Sequence, residues 1–306
     1  DISAEVVGVG SSATVYPAVA RSVNVELGKG LPKQRWVAAK FLPLCEASRT
    51  EVFKEVAILQ EVQHHPNVIG LLGFFRCRCG SCASKHTVRQ ASGHNGRGRQ
   101  LGGRRPQVVS ESWVVLLDLC RGDLCDEIDL GGRYGENEAV ELMVGLLSAL
   151  AYIHSCGIVH RDVKAENVLL NGEGSPLLSD FGSACRLSDA AAMEQRPGTP
   201  GYAAPELVCK DVQYAEKVDV FSAGVVMYFA LSGKLPFACA DMRTTLLRTI
   251  DCRVTLDSPR FRHVSWSVLR VLEQLLTKQA DVRPAASTAL EALEVLSTPC
   301  KQSHSP

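Results

Sequence analysis

The octapeptide His160–Asn167, HRDVKAEN, places six polar side chains in eight positions directly behind the apolar run AVELMVGLLSALAYIHSCGIV. Polar chemistry concentrated behind a core element points to a working site. An acid, a lysine and an asparagine at this spacing suit phosphoryl transfer. Such a reaction needs a carboxylate to orient a hydroxyl and take its proton, a cation to neutralise the migrating group, and an amide oxygen to ligate Mg²⁺. Asp162, Lys164 and Asn167 supply these groups. Thirteen residues beyond Asn167, the stretch SDFGSA adds Asp180, a second hard oxygen ligand for magnesium with a glycine nearby.

Two kinds of sequence surround these residues. The stretches AEVVGVG, SATVYPAVA and RWVAAKFLPL are short, β-branched and broken by Gly or Pro, which predicts strands. SRTEVFKEVAILQEV then turns helical: Ser48 and Glu51 fit a capping box, and Glu55, Ile58, Leu59 and Val62 share one face. VIGLLGFF and WVVLLDL read as further strands. Beyond Gly122 helices dominate, in ENEAVELMVGLLSALAYIHSC, DVFSAGVVMYFALSG, DMRTTLLRTI, SWSVLRVLEQLLT and AASTALEALEVL. The chain is therefore expected to be α+β. It should have a strand-rich lobe over 1–119, a helical lobe over 120–298 and a frayed tail over 299–306.

Residues 76–112 interrupt this pattern. They are rich in Gly, Ser and Arg and hold eight basic side chains against the single acid Glu111, a balance of +7 within a chain of net charge zero. The composition predicts a basic surface loop on an acidic body. Within it Cys77, Cys79, Cys82 and His86 have zinc-ligand chemistry, but the paired CxxC knuckle is missing, so incidental cysteines are the reading adopted. The run GRGRQLGGRR has no interleaved aromatic on which bases could stack, so nucleic acid is not an expected partner.

The other cysteines are scattered singletons in a chain of 306 residues, 46% hydrophobic and 22% charged. This favours a reduced intracellular compartment, cytoplasmic with the nucleus as an alternative; the chain is expected to be a monomer. No run of about 18 apolar residues announces a membrane span. The chain opens without Met inside patterned sequence, as an excerpt of a longer protein would.

The ordered set of motifs resembles a eukaryotic protein kinase domain from Val6 to about Leu296, apart from the insert. GVGSSATV resembles the Gly-rich loop, VAAK gives Lys40, and Glu55 follows fifteen residues later; HRDVKAEN, DFG, GTPGYAAPE, DVFSAGVV and Arg283 in DVRP complete the order. The resemblance implies a two-lobed kinase fold. ATP would meet Gly8 and Gly10 of the loop, and Lys40 would hold its phosphates and pair with Glu55. Val15, Ala38 and Leu169 would sandwich the adenine. Leu117 would be the gatekeeper, Asp118 and Cys120 would offer backbone groups to the base, and Asp123 could bond the ribose. Asp162 and Lys164 would be catalytic, while Asn167 and Asp180 would hold Mg²⁺. Two departures are mild: Ala13 stands at the third loop glycine, and Phe221 replaces the usual tryptophan. The hinge segment CRGDL is one residue short.

Lys164 and GTPGYAAPE follow the serine/threonine pattern, with Thr199 placed to bond Asp162 and Lys164. Glu206 and Arg283 would form a buried ion pair. The helical region is similar to the calcium/calmodulin-dependent and calcium-dependent kinase group. Asp123 and Glu166 match positions that hold a substrate arginine, so protein substrates with basic residues before the target Ser or Thr are expected. Arg161 precedes the catalytic acid, as in kinases ordered by a phosphate. The usual phosphate position holds MEQR, so Glu194 is expected to stand in for it against Arg161. The alternative reading is a silent ATP-binding pseudokinase scaffold.

Overall fold

The computed structural model describes residues 8–9, 14–20, 35–44, 46–79, 110–209 and 212–297. Gly10, Ala13, Cys82, His86 and the tail 299–306 lie outside them, as does the insert from 80 to 109. The chain forms two compact units: Asp1–Phe53 with Leu72–Leu117, and Lys54–Leu71 with Asp118–Pro306.

The first unit is built on a five-stranded sheet, in the order β1 (Gly8–Val9), β2 (Thr14–Ala20), β3 (Arg35–Pro43), β5 (Ser110–Asp118), β4 (Leu71–Cys79). Strand alternation explains its core. Val37 and Ala39 point to one face and join Ala18 and Val114 in a buried cluster, against which Phe41, Leu72, Cys77 and Leu116 pack. Ala38 and Lys40 therefore share the opposite face of β3. Strands β4 and β5 extend into what the sequence marks as insert: Arg76–Cys79 and Ser110–Ser112 are strand residues, and Arg76 pairs with Glu111 across them. The β-propensity of their flanks outweighs the basic composition.

Helix α1 spans Glu46–Val62. It begins two residues before Ser48, so Ser48 lies inside the helix rather than capping it. Phe53 on this helix meets Phe74 and Trp113 edge-on, with centroids 5.3 and 5.2 Å away.

The second unit is mainly helical: α2 (Leu124–Gly131), α3 (Glu136–Ser155), α4 (Ala190–Glu194), α5 (Pro205–Val208), α6 (Lys217–Ser232), α7 (Met242–Asp251), α8 (Trp266–Leu275) and α9 (Ala286–Ser297). Two small antiparallel sheets accompany them. One orders β6 (Gly122–Asp123), β8 (Val168–Leu170) and β9 (Pro176–Leu178), and the other pairs β7 (Ile158–Val159) with β10 (Cys185–Arg186).

Helix α6 is apolar all round, and it is buried from Val218 to Ser232. By length and composition α3 could cross a membrane. Its apolar stripe from Ala139 to Ile153 is instead buried against α6 and α9, as a core helix. Helix α3 also approaches β9 closely, because Gly145 presents no side chain to Pro176 and Asn67.

Candidate active site

Gly8, Val15 and Lys40 lie in one row across three strands. Gly8 is the register partner of Val15, and Val15 of Lys40. Ala38, two residues before Lys40, shares its face. The sheet thus assembles four of the residues expected to meet ATP, with Leu117 near the end of β5. The helical unit carries Glu55, Asp118, Cys120, Asp123 and Leu169, and Gly10 lies outside the described residues.

Within the helical unit the octapeptide folds onto a single carboxylate. Asp162 Oδ1 accepts the Thr199 hydroxyl at 2.7 Å. Its Oδ2 accepts Lys164 Nζ at 2.7 Å and Asn167 Nδ2 at 3.3 Å. Lys164 Nζ also donates to Thr199 Oγ1 at 3.1 Å, closing a triangle of acid, amine and hydroxyl. Thr199 comes from 37 residues downstream, so this triangle links the octapeptide to the GTPGYAAPE segment.

The loop's backbone is set from below by an acid that sequence reasoning missed. Asp219 on α6 accepts the N–H groups of His160 at 2.8 Å and Arg161 at 2.7 Å, and lies 2.8 Å from His154 Nε2. Burial pushes its carboxyl upward. The hydrogen bond and charge of His154, with His160, outweigh this and hold it below the usual carboxylate range. These contacts allow Arg161 its left-handed backbone (φ 66°), which a non-glycine residue adopts at a cost of about 1–3 kcal/mol. A lone acid inside the apolar run KVDVFSAGVV was the available signal, since a buried carboxylate demands partners.

His160 ties the octapeptide to the segment that enters Asp180. Its Nε2 lies 3.0 Å from Ser179 O, and its ring meets Phe181 edge-on at 4.9 Å. Ser179 in turn donates both its backbone N–H and its hydroxyl to Asn167 O at 2.9 Å. The segment entering Asp180 is thereby tied to the segment carrying Asn167.

These two residues suit a hard divalent cation. Asn167 Nδ2 donates to Asp162 O at 2.8 Å, which commits the amide nitrogen and turns Oδ1 into the available ligand atom. Asp180 is held left-handed (φ 58°), the kind of strain that clusters at working sites. A Cβ placed on Gly182 would stand 3.4 Å from Asp180 Oδ1 and 3.8 Å from Glu55 Oε2. Oxygen-only chemistry is what Mg²⁺ selects.

Asp118 accepts the Gly70 N–H at 3.1 Å through Oδ2, while its own N–H donates to Gly70 O at 3.1 Å. The short hinge is therefore anchored to the segment preceding β4. Cys120 and Cys125 are poor nucleophiles: burial first, then neighbouring carboxylates, pushes each thiol up to about 11.

Asp123 caps α2, accepting Asp126 N–H at 2.9 Å. Burial raises its pKa, with the charges of Asp126 and Glu166 adding to the effect, against the backbone N–H bonds that lower it. Glu166 also bonds the Tyr202 side chain, whose hydroxyl burial and that carboxylate hold protonated.

The expected Glu206–Arg283 pair is present and buried, with bonds of 2.6 and 3.1 Å. Arg283 also stands over the Phe221 ring at 4.9 Å, so the phenylalanine keeps an aromatic packing role. The expected pairing of Glu194 with Arg161 is not formed. Glu194 is exposed, and the guanidinium is taken by Ser183 O, Ala192 O and the Tyr214 hydroxyl. Among the described residues no cluster of His, Cys, Asp and Glu has metal-binding geometry, and the Cys82/His86 question lies outside them.

Comparison with known proteins agrees with this architecture. The sequence pattern of the protein kinase domain matches residues 3–293. Serine/threonine-protein kinase PEPKR2 of Arabidopsis thaliana is 30% identical over 240 residues, which is 78% of this chain and 44% of that protein. Probable serine/threonine-protein kinase 2 of Plasmodium falciparum is 35% identical over 184 residues, 59% of this chain and 35% of that one. The phosphorylase b kinase gamma catalytic chain, liver/testis isoform, of Mus musculus is 28% identical over 296 residues, 94% of this chain and 64% of that protein. The chain spans less than two thirds of the length of each. It belongs to the protein kinase domain family, with the α+β two-lobed fold of that family.

Proposed function

We propose that the chain is an active serine/threonine protein kinase that transfers the γ-phosphate of ATP to Ser or Thr hydroxyls of proteins. The observation that carries this reading is the convergence of Thr199, Lys164 and Asn167 on the Asp162 carboxylate. Asp162 is held by donors on both oxygens. It is thus poised to orient an incoming hydroxyl and receive its proton, while Lys164, 2.7 Å away, supplies positive charge for the migrating phosphoryl group. Thr199 fixes the geometry of both.

Gly8, Gly10, Val15, Ala38, Lys40, Leu117, Cys120 and Leu169 serve nucleotide binding in this reading, and Glu55 orients Lys40. Asn167 and Asp180 hold Mg²⁺, which when bound neutralises the phosphate oxygens and aligns them. Membership of the calcium/calmodulin-dependent group is supported by the phosphorylase b kinase gamma relative.

Substrates are proposed to carry Arg or Lys before the target hydroxyl. Asp123 and Glu166 are close enough for the Glu166 charge to raise the Asp123 pKa, so together they form one anionic subsite suited to a guanidinium.

The test is transfer from Mg·ATP to an Arg-x-x-Ser peptide, comparing the native chain with Asp162→Asn. Loss of about 10²–10⁴-fold in kcat with ATP still bound is expected for removing the general base. Equal transfer by both chains, or ATP binding with transfer by neither, would overturn the proposal and leave a scaffold.

A further inference from the structure

Three consecutive N–H groups at the entry to β4 go to three different partners. Ile69 donates to Leu178 O at 3.0 Å, Gly70 to Asp118 Oδ2 at 3.1 Å, and Leu71 to Gln63 Oε1 at 3.1 Å. The middle bond is returned, because Asp118 N–H donates to Gly70 O, also at 3.1 Å. Gly70 and Asp118 thus close a two-bond bracket. It lies beside two of the points at which the chain passes between its compact units, after Leu71 and after Leu117.

The bracket requires a residue without a side chain. A Cβ at position 70 would lie 2.3 Å from Asp118 Oδ2, so a methyl group there would turn the carboxylate off the N–H. The Gly70 backbone is not left-handed, so alanine fits it and perturbs only this approach.

The hinge is fixed at its other end as well. Arg121 N–H donates to Leu170 O at 2.9 Å, and Gly122 and Asp123 pair with Leu170 and Leu169 of β8. Leu119 and Cys120 hang between the two anchors. The entry anchor also reaches toward the magnesium ligands. Ile69 is bonded to Leu178, whose own N–H donates to Asn67 O at 2.8 Å, and Leu178 stands two residues before Asp180.

We infer that Gly70 is a positioning residue for the nucleotide: carrying no side chain, it lets the Asp118 carboxylate close onto its N–H and fixes the stretch Asp118–Cys120 for the adenine. The inference rests on the kinase reading, in which the backbone of that stretch meets the base.

The experiment uses the whole chain. The Kd of Mg·ATP is measured by titration calorimetry, and kcat and KM with Mg·ATP and the Arg-x-x-Ser peptide. Gly70→Ala should weaken ATP about tenfold, as when the competent arrangement falls to about a tenth of the population. KM for ATP should rise with it, while kcat at saturating ATP and KM for the peptide stay within about twofold. Asp118→Ala should lose a similar factor, and Gly70→Ala/Asp118→Ala no more than either change alone, since both remove one bracket. Asp118→Asn keeps an oxygen that can accept the Gly70 N–H and should recover most of the loss. Gly73→Ala is the control: its Cβ would meet Leu116 at an ordinary 3.8 Å, and it should bind ATP as the native chain does.

A merely structural bracket would lower the folded fraction of Gly70→Ala and leave the Kd of what remains native, which would overturn the inference. Additive losses in the double variant, or Asp118→Asn as weak as Asp118→Ala, would overturn it too. If ATP binds but no form transfers phosphate, the kinase reading fails as catalysis, and the Kd series alone still upholds or refutes the role of Gly70. If the native chain binds no ATP, both fall.

Discussion

Replacing Arg283 by Met should be the most destabilising single change in the helical unit outside its apolar core. Arg283 is fully buried, and all five of its N–H donors are used. Nη1 and Nη2 bond the two Glu206 oxygens at 2.6 and 3.1 Å. The remaining donors reach Thr277 O at 3.0 Å, Lys217 O at 2.7 Å and Lys278 O at 3.2 Å. Methionine fills part of the volume but supplies no donor. It strands the Glu206 carboxylate, which is 7% exposed, and leaves three carbonyls short of a partner. Removing one member of such a pair costs about 3–5 kcal/mol, mostly the penalty of an uncompensated buried charge. That corresponds to a fall in Tm of roughly 6–20 °C for a unit of this size. Urea unfolding followed by far-UV circular dichroism gives the free energy directly. The double variant Glu206→Met/Arg283→Met removes the stranded charge as well. It should recover at least about 2 kcal/mol relative to the sum of the single changes. An Arg283→Met cost below about 1 kcal/mol, or strict additivity in the cycle, would refute this reasoning.

Other sites give sharper chemical readouts. Thr199→Ala should cut kcat about tenfold or more with little change in KM for ATP, and Thr199→Ser should restore most of it, because the hydroxyl and not the methyl bonds Asp162 and Lys164. In the proposed subsite the ionised Asp123 is the form that would attract a substrate arginine, and its pKa is raised. KM for Arg-x-x-Ser should therefore climb as pH falls, starting above the ordinary aspartate range near about 3.9, while a Leu-x-x-Ser peptide shows no such climb; parallel profiles would remove Asp123 from the subsite. With pKa values of about 11, the thiols of Cys120 and Cys125 should alkylate at pH 7.5 on the order of a hundredfold more slowly than an ordinary cysteine, as peptide mass mapping with iodoacetamide can show. A Cβ on Gly145 would lie 2.5 Å from the Pro176 ring and 2.9 Å from Asn67 Nδ2. Gly145→Ala should thus destabilise by about 1–2 kcal/mol despite alanine's better helix propensity, and a rise in Tm would contradict it.

Much of this protein was written locally. The octapeptide and Asp180 stood out by residue type and spacing, as a set suited to phosphoryl transfer, while Lys40 and Thr199 were singled out only through the resemblance to the kinase pattern. Helices α7 to α9 and the strand β3 followed from periodicity, since their buried faces repeat at the helix and strand periods, and α6 followed from the length of its apolar run. Local patterning erred where neighbours decided. Ser48 looked like a cap but sits within α1, and Arg76–Cys79 looked like loop but pairs as strand.

The partners of buried charges were decided by the tertiary structure. Asp219 is 59 residues from His160 and Tyr214 is 53 from Arg161. Nothing in the local sequence joins them. Glu194 had the right charge and a nearby position, yet it turns to solvent while a tyrosine hydroxyl and two carbonyls take the guanidinium. Sequence determines which chemical groups are available and how far along the chain they stand. Which of them meet is fixed only when the core closes, because a buried polar group must find a partner among whatever the packing brings within about 3 Å.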